Sequence, residues 1–344
     1  MYMNEQETWQ RLRALESFDN VQKWFDIIHK RNLNSRRTTE IICSAKQARE
    51  FFLNAKQSDY AVRSLLTFYG IASLSRAVTL LFKENGGEET LTKGHGLEVC
   101  DWSSVLSGDI SEAIAKIGLL QVSTCKGLFN DFLTATKNTL CMHINSSGID
   151  WTLPYTLPEL GVTISLADLL SRLPDFSNDI KNISSSTLHY AVAGDISYSP
   201  NDGFKVKVGK DASGSLLGCY EQKGYTIANA ECSQYILTCS SDVFCKNMPL
   251  FLHDYTNKMF GSIPQLYIIE VLENGHNYSE MGFCYLLAYF MGMLSRYYPT
   301  HWVSLISGRK GDLYWPIINR AQNYLETVFP ELIVEYIENE IKKE

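Results

Sequence analysis

The apolar residues of this chain change their period twice, and that double switch limits the folds open to it. Up to about residue 85 they recur at helical spacing, as in Trp9, Leu12, Leu15, Val21, Trp24, Phe25 and Ile28. From about residue 188 to 271 short strand-like runs take over. Phe204-Lys205-Val206-Lys207-Val208 alternates most clearly, one face apolar and one charged. From Tyr278 the helical spacing returns in two runs, Tyr278 to Tyr298 and Trp315 to Lys343. Helices, then strands, then helices is not the repeating strand–helix order of a wound parallel sheet. The expected fold class is α+β, with helical N- and C-terminal parts packed together around a central antiparallel-rich β region. The expected parts are a helical N-terminal part (1–110), a mixed connecting region (111–185), a β-rich region (186–275) and a helical C-terminal part (276–344). The last packs on the N-terminal helices, since neither amphipathic set can bury itself alone.

Within the first part, a helix over Ser44–Gln57 turns Ala48, Phe51 and Phe52 to one side. Ser58 or Asp59 can cap the next helix, which runs to about Phe82. Apolar residues surround that helix almost completely, which predicts a central core helix. Asn85-Gly86-Gly87 ends it, and Lys93-Gly94-His95-Gly96-Leu97 reads as a loop. A short helix is expected near Ser111–Ile117 and a strand at Leu119–Ser123, with a further helix at Ser165–Leu170 ending before Pro174. Strand-like runs follow at Leu188–Ala193, Phe204–Val208, Tyr225–Ala228, Gln234–Cys239 and Leu266–Val271. Pro200-Asn201-Asp202-Gly203, Ser213-Gly214 and Gly261 are turn signals between them.

With 344 residues, 45% hydrophobic and 20% charged, the chain can bury a full core without a metal or disulfide staple. A net charge of -7 argues against non-specific coating of nucleic acid or of anionic membranes. The densest basic stretch, His29, Lys30, Arg31, Arg36 and Arg37, reads as a solvated helix end and loop. None of the nine cysteines forms a C-x-x-C pair, and Cys232, Cys239 and Cys245 are too loosely spaced for a zinc knuckle. Free thiols in a reducing cytoplasm are expected. Met1–Arg13 has no apolar signal core, and the apolar window Met281–Leu294 is shorter than the roughly 20 residues of a spanning helix, so it reads as a buried core helix.

Complete catalytic signatures are missing: there is no G-x-S-x-G, H-E-x-x-H or dinucleotide fingerprint. Lys210–Gly218 looks like a phosphate loop only superficially, lacks the Gly-Lys-Ser/Thr ending, and reads as a hairpin loop. Cys141-Met142-His143 has no partner placed by spacing and reads as a core cysteine with a surface histidine. The tyrosines at 285, 289, 297 and 298 fit either a binding surface or a core, and the core is favoured.

Longer patterns carry a resemblance. Trp9, Ser17, Val21-Gln22-Lys23-Trp24, Ala48-Arg49-Glu50-Phe51-Phe52, Leu65-Leu66-Thr67-Phe68-Tyr69-Gly70 and His95-Gly96-Leu97, with Leu294-Ser295-Arg296-Tyr297-Tyr298-Pro299 and Trp302, resemble the YaaC-like family of bacterial proteins. That resemblance implies a bacterial cytoplasmic protein and supplies no catalytic residues. Tyr/Phe-rich helices followed by a loop histidine also look like the helical HEPN domains, many of which are metal-independent ribonucleases with an Arg-x4–6-His motif. Arg296-Tyr297-Tyr298-Pro299-Thr300-His301 fits that spacing. The likeness implies Arg296 on a scissile phosphate and His301 as proton shuttle. His95, between two glycines, is the third candidate, able to present an imidazole to an anion. In the structural alternative, Arg296 caps the C-terminal end of its helix, and His301 and Trp302 pack at the turn.

Two functions are therefore expected. The first is a non-catalytic interaction or regulatory subunit, with a protein partner or a second copy of itself and no cofactor, metal or membrane. The second is a HEPN-like ribonuclease acting on RNA, as a toxin or antiviral effector.

Overall fold

The computed structural model describes residues 5–139, 154–183, 189–210, 212–230, 234–251 and 266–342. The chain begins with helices α1 (Glu5–Leu12), α2 (Phe18–His29), α3 (Ser35–Gln57) and α4 (Tyr60–Phe82). Next come β1 (His95–Cys100), α5 (Trp102–Val105), α6 (Ile110–Ala115), β2 (Gln121–Gly127) and α7 (Leu128–Ala135). The middle holds β3 (Thr163–Ser165), α8 (Leu166–Leu170), α9 (Ser177–Ile183), β4 (Tyr190–Ser199), β5 (Gly203–Gly209), α10 (Gly214–Gln222), β6 (Thr226–Ala230), β7 (Gln234–Cys239), α11 (Ser241–Phe251) and β8 (Leu266–Ile269). The last elements are α12 (Glu280–Tyr297), α13 (Pro299–Ile306) and α14 (Trp315–Lys342). With helices and two antiparallel sheets, the fold is α+β.

Polar caps set the starts of the long N-terminal helices. Ser17, Asn34 and Asp59 precede α2, α3 and α4, and each side-chain oxygen takes a backbone N–H of the first turn. Asp59 also lets α4 follow α3 after a two-residue turn, so the pair forms a helical hairpin.

The chain divides into two compact units: Met1–Asn138 with Leu157–Leu166 and Glu280–Glu344, and Thr139–Thr156 with Ala167–Ser279. In the first, α4 is the centre. It is long and apolar enough to cross a membrane by composition, yet 72% of its most apolar window is buried. Helices α3, α7 and α12 cover it, while α14 packs on α12 and α1. The window Met281–Leu294 forms most of α12, whose residues from Glu280 to Ser295 are all buried. A three-stranded antiparallel sheet, ordered β1-β2-β3, completes this unit, with Val99 opposite Val122 and Val122 opposite Ile164.

The second unit is built on a five-stranded antiparallel sheet ordered β6-β7-β5-β4-β8. The alternation of β5 works as its sequence implies: Phe204, Val206 and Val208 are buried and Lys205 is exposed. Leu216 and Tyr220 of α10 and Phe244 of α11 join that core, and the Phe204 and Phe244 rings stack at 4.0 Å.

Three local readings change. His95–Leu97 is not loop but the start of β1. The segment Lys210–Gly218 does not end in a hairpin loop, because Ser213 caps a helix that begins at Gly214. Arg37 is not solvated: it is 4% exposed, and its guanidinium donates to the carbonyls of Leu80, Lys83 and Glu84 at the end of α4. It thereby satisfies acceptors that a helix end leaves open. Cys141-Met142-His143, Cys232 and the Gly261 turn lie outside the described residues.

Candidate functional site

The candidate site begins with the stripe Tyr285, Tyr289, Gly292 and Arg296 on α12, spaced so that all four share one face. Gly292 lets this face approach α4: a Cβ added there would lie 2.8 Å from the Cβ of Phe68. One turn later Arg296 emerges into solvent, and its Nη1 donates to Tyr69 Oη at 2.8 Å. Earlier in the stripe the buried tyrosines hold β1. Tyr285 Oη donates to His95 O at 3.0 Å, and Tyr289 Oη to Leu97 O at 2.9 Å. Those hydroxyls are structural, so the core reading applies to Tyr285 and Tyr289; Tyr297, at 58% exposure, stands outside it.

His95 lies where β1 enters this arrangement. Gly96, at φ +81°, allows the strand to pass so close to α7 that a Cβ would lie 2.6 Å from Phe129 N. The imidazole stands edge-on to Phe68, with ring centroids 4.9 Å apart, and lies 6.4 Å from the Tyr69 ring and 6.2 Å from Tyr289. Burial lowers its pKa from the ordinary 6.5, and the positive charges of Arg296 and Arg76 lower it further. The imidazole is therefore uncharged at neutral pH. Arg76 is exposed on α4, two turns beyond Tyr69 and so on the same face. Among the described residues, neither Arg76 nor Arg296 has a carboxylate partner.

The structure thus brings His95 and Arg296 to one patch around Tyr69 and adds Arg76. His301 has other contacts. Arg296 lies in the last turn of α12 while Pro299 opens α13, so the two motif residues stand on separate helices. The His301 Nε2 lies 3.0 Å from Leu106 O, and Tyr298 packs edge-on against its ring. Trp302, 1% exposed, donates to Tyr60 O at 2.9 Å.

A family model of YaaC-like proteins matches residues 2–337. The chain belongs to the YaaC-like family. No curated protein and no solved structure gives a match.

This YaaC-like chain has a second polar cluster, in its other unit. Glu270, just past β8, accepts from His189 Nδ1 at 2.9 Å, from Ser213 Oγ at 3.0 Å and from Ser215 Oγ. Burial opposes its ionisation, but the hydrogen bonds from His189, Ser215 and Ser213 prevail and bring its pKa down to about 2. Arg172 holds the same strand end, donating to Glu270 O at 2.9 Å and Val271 O at 2.7 Å while paired with Asp168. The serines donate to the carboxylate and not to the imidazole, so the serine–histidine–acid relay of a hydrolase is not formed. The cluster instead fastens the capped start of α10 to the end of β8. Among the described residues, no group of three His, Cys, Asp or Glu side chains could hold a metal ion.

Arg76 and Tyr69 were legible as a pair seven residues apart on one helix. That spacing alone marks no site, because Arg76 is the one charge in the apolar run Gly70–Phe82. Nothing in the spacing of His189, Ser213, Ser215 and Glu270 could have joined them, since β4 and β8 become neighbours only in the folded sheet.

Proposed function

We propose that this YaaC-like protein is a non-catalytic interaction protein that recognises a phosphate group on its partner through Arg76, His95 and Arg296. One observation carries this reading: a half-buried imidazole packed beside Tyr69, within electrostatic reach of two guanidiniums, with no described carboxylate paired to either arginine. A phosphate oxygen can accept from each guanidinium, and its charge offsets their repulsion. Tyr69 Oη, already bonded to Arg296, holds that side chain in place.

The second reading is metal-independent RNA cleavage, the HEPN-like activity. What favours it is the same uncharged imidazole, competent as a base toward a ribose 2′-hydroxyl near neutral pH. What weighs against it is the contact of His301 with Leu106 O, which leaves His95 as the imidazole under the influence of the arginines.

One pair of assays separates the readings. Inorganic phosphate is titrated against wild type and against Arg76→Ala and Arg296→Ala, and total RNA is incubated with wild type and His95→Ala in EDTA. Phosphate binding weakened in both arginine variants, with RNA left intact, is the expected result. RNA cleavage abolished by His95→Ala would replace the interaction reading with the nuclease. Absence of both activities would remove the site.

A further inference from the structure

A different part of the first unit carries a second site. The α2–α3 connection and the first turn of α3 face the segment after α4 across a cleft of about 370 Å³, the size of a small-ligand pocket. We propose that this cleft binds a nucleotide-sized phosphate ester. Arg31, Arg36 and Arg37 line it, and their partners differ. Arg36 is paired with Glu40 at 2.9 Å and loosely with Glu89 at 3.5 Å. Arg31 and Arg37 donate to neutral acceptors only: Arg31 to Asn85 Oδ1 and Glu84 O, Arg37 to the carbonyls ending α4. Arg31 and Arg37 therefore make no hydrogen bond to a described carboxylate, while Glu40 and Glu89 line the same cleft beside Arg36. The repulsion is visible in their neighbours: Arg37 falls to about 10, through burial first and Arg31 second, and His29 is lowered by burial and then by Arg37 and Arg31.

The remaining lining is rich in donors. Asn34, also in the lining, caps the 23-residue helix α3 here, its Oδ1 taking the Arg37 N–H at 2.8 Å. Asn32, which makes no hydrogen bond to a described residue, and Asn85 contribute side-chain amides. A cleft with guanidiniums and amide donors is complementary to an acceptor-rich anion: a phosphate for Arg36 and its neighbouring arginines, and a hydroxylated or nitrogen-ring organic part for the amides. Glu89, exposed and at the limit of hydrogen-bond distance, holds the position an incoming phosphate would take beside Arg36.

This site uses none of the residues around His95, so it stands or falls separately from the reading above. Calorimetric titration of the full chain with adenosine 5′-monophosphate, and separately with inorganic phosphate, tests it. Expected are tighter binding of the nucleotide than of phosphate, about tenfold weaker nucleotide binding in Arg36→Ala, and tighter binding in Glu89→Gln. Arg36 is exposed, so its variant should keep the fold, which circular dichroism checks. No nucleotide binding, equal affinity for nucleotide and phosphate, or indifference to Arg36→Ala would each overturn the proposal.

Discussion

At the scale of the residue, the protonation of two side chains reports their surroundings. Glu270 is held ionised by His189 and two serines down to about pH 2, against an ordinary 4.5. Its stabilising effect is complete above the ordinary value and disappears as pH falls toward the lower one. His95 titrates in a different window. Its folded pKa lies below 6.5, so the unfolded chain takes up the proton first, and stability falls as pH drops from 6.5 toward the folded value. Denaturant melts across pH should show both limbs. Glu270→Gln should flatten the acid limb and leave the upper one; His95→Gln should do the reverse. A Glu270→Gln protein with the wild-type acid limb would show that the cluster does not hold the carboxylate ionised.

At the scale of the element, contact between α12 and α4 sets the site. Gly292→Ala places a Cβ against Phe68 and should cost about 1–3 kcal/mol in stability. It should also pull Arg296 from Tyr69 and weaken phosphate binding. A variant of unchanged stability would mean that the helices are not in close contact there. This scale also shows what could be read in advance. The helix Tyr60–Phe82 was legible because Asp59 caps it and its apolar residues run all round, and β5 because its alternation is strict. The strand β1 was not legible, since Gly94 and Gly96 both take positive φ and read as loop chemistry, while its partner β2 lies a helix-containing excursion away. Arg37 was misread because its acceptors are backbone carbonyls at the end of α4, and backbone acceptors leave no mark in the side-chain sequence.

At the scale of the whole molecule, the first unit is closed by contacts between segments far apart in the chain. Arg63 on α4 donates to Glu326 on α14 at 2.9 and 2.5 Å, and Thr67 and Gln322 donate to the same carboxylate. Glu326 is 2% exposed, so its removal leaves a half-buried guanidinium unpaired. Glu326→Ala should cost about 3–5 kcal/mol by denaturant titration, and a loss under 1 kcal/mol would show that the α4–α14 contact is not maintained in solution. That closure carries Arg296 of the C-terminal part to His95 of the N-terminal part, on which the functional reading depends. Following the His95 ring protons by NMR across pH, with and without inorganic phosphate, tests it most directly. The expected midpoint lies below 6.5, rises when phosphate is added, and rises without phosphate in Arg296→Gln. A midpoint at 6.5 that neither phosphate nor Arg296→Gln moves would contradict it.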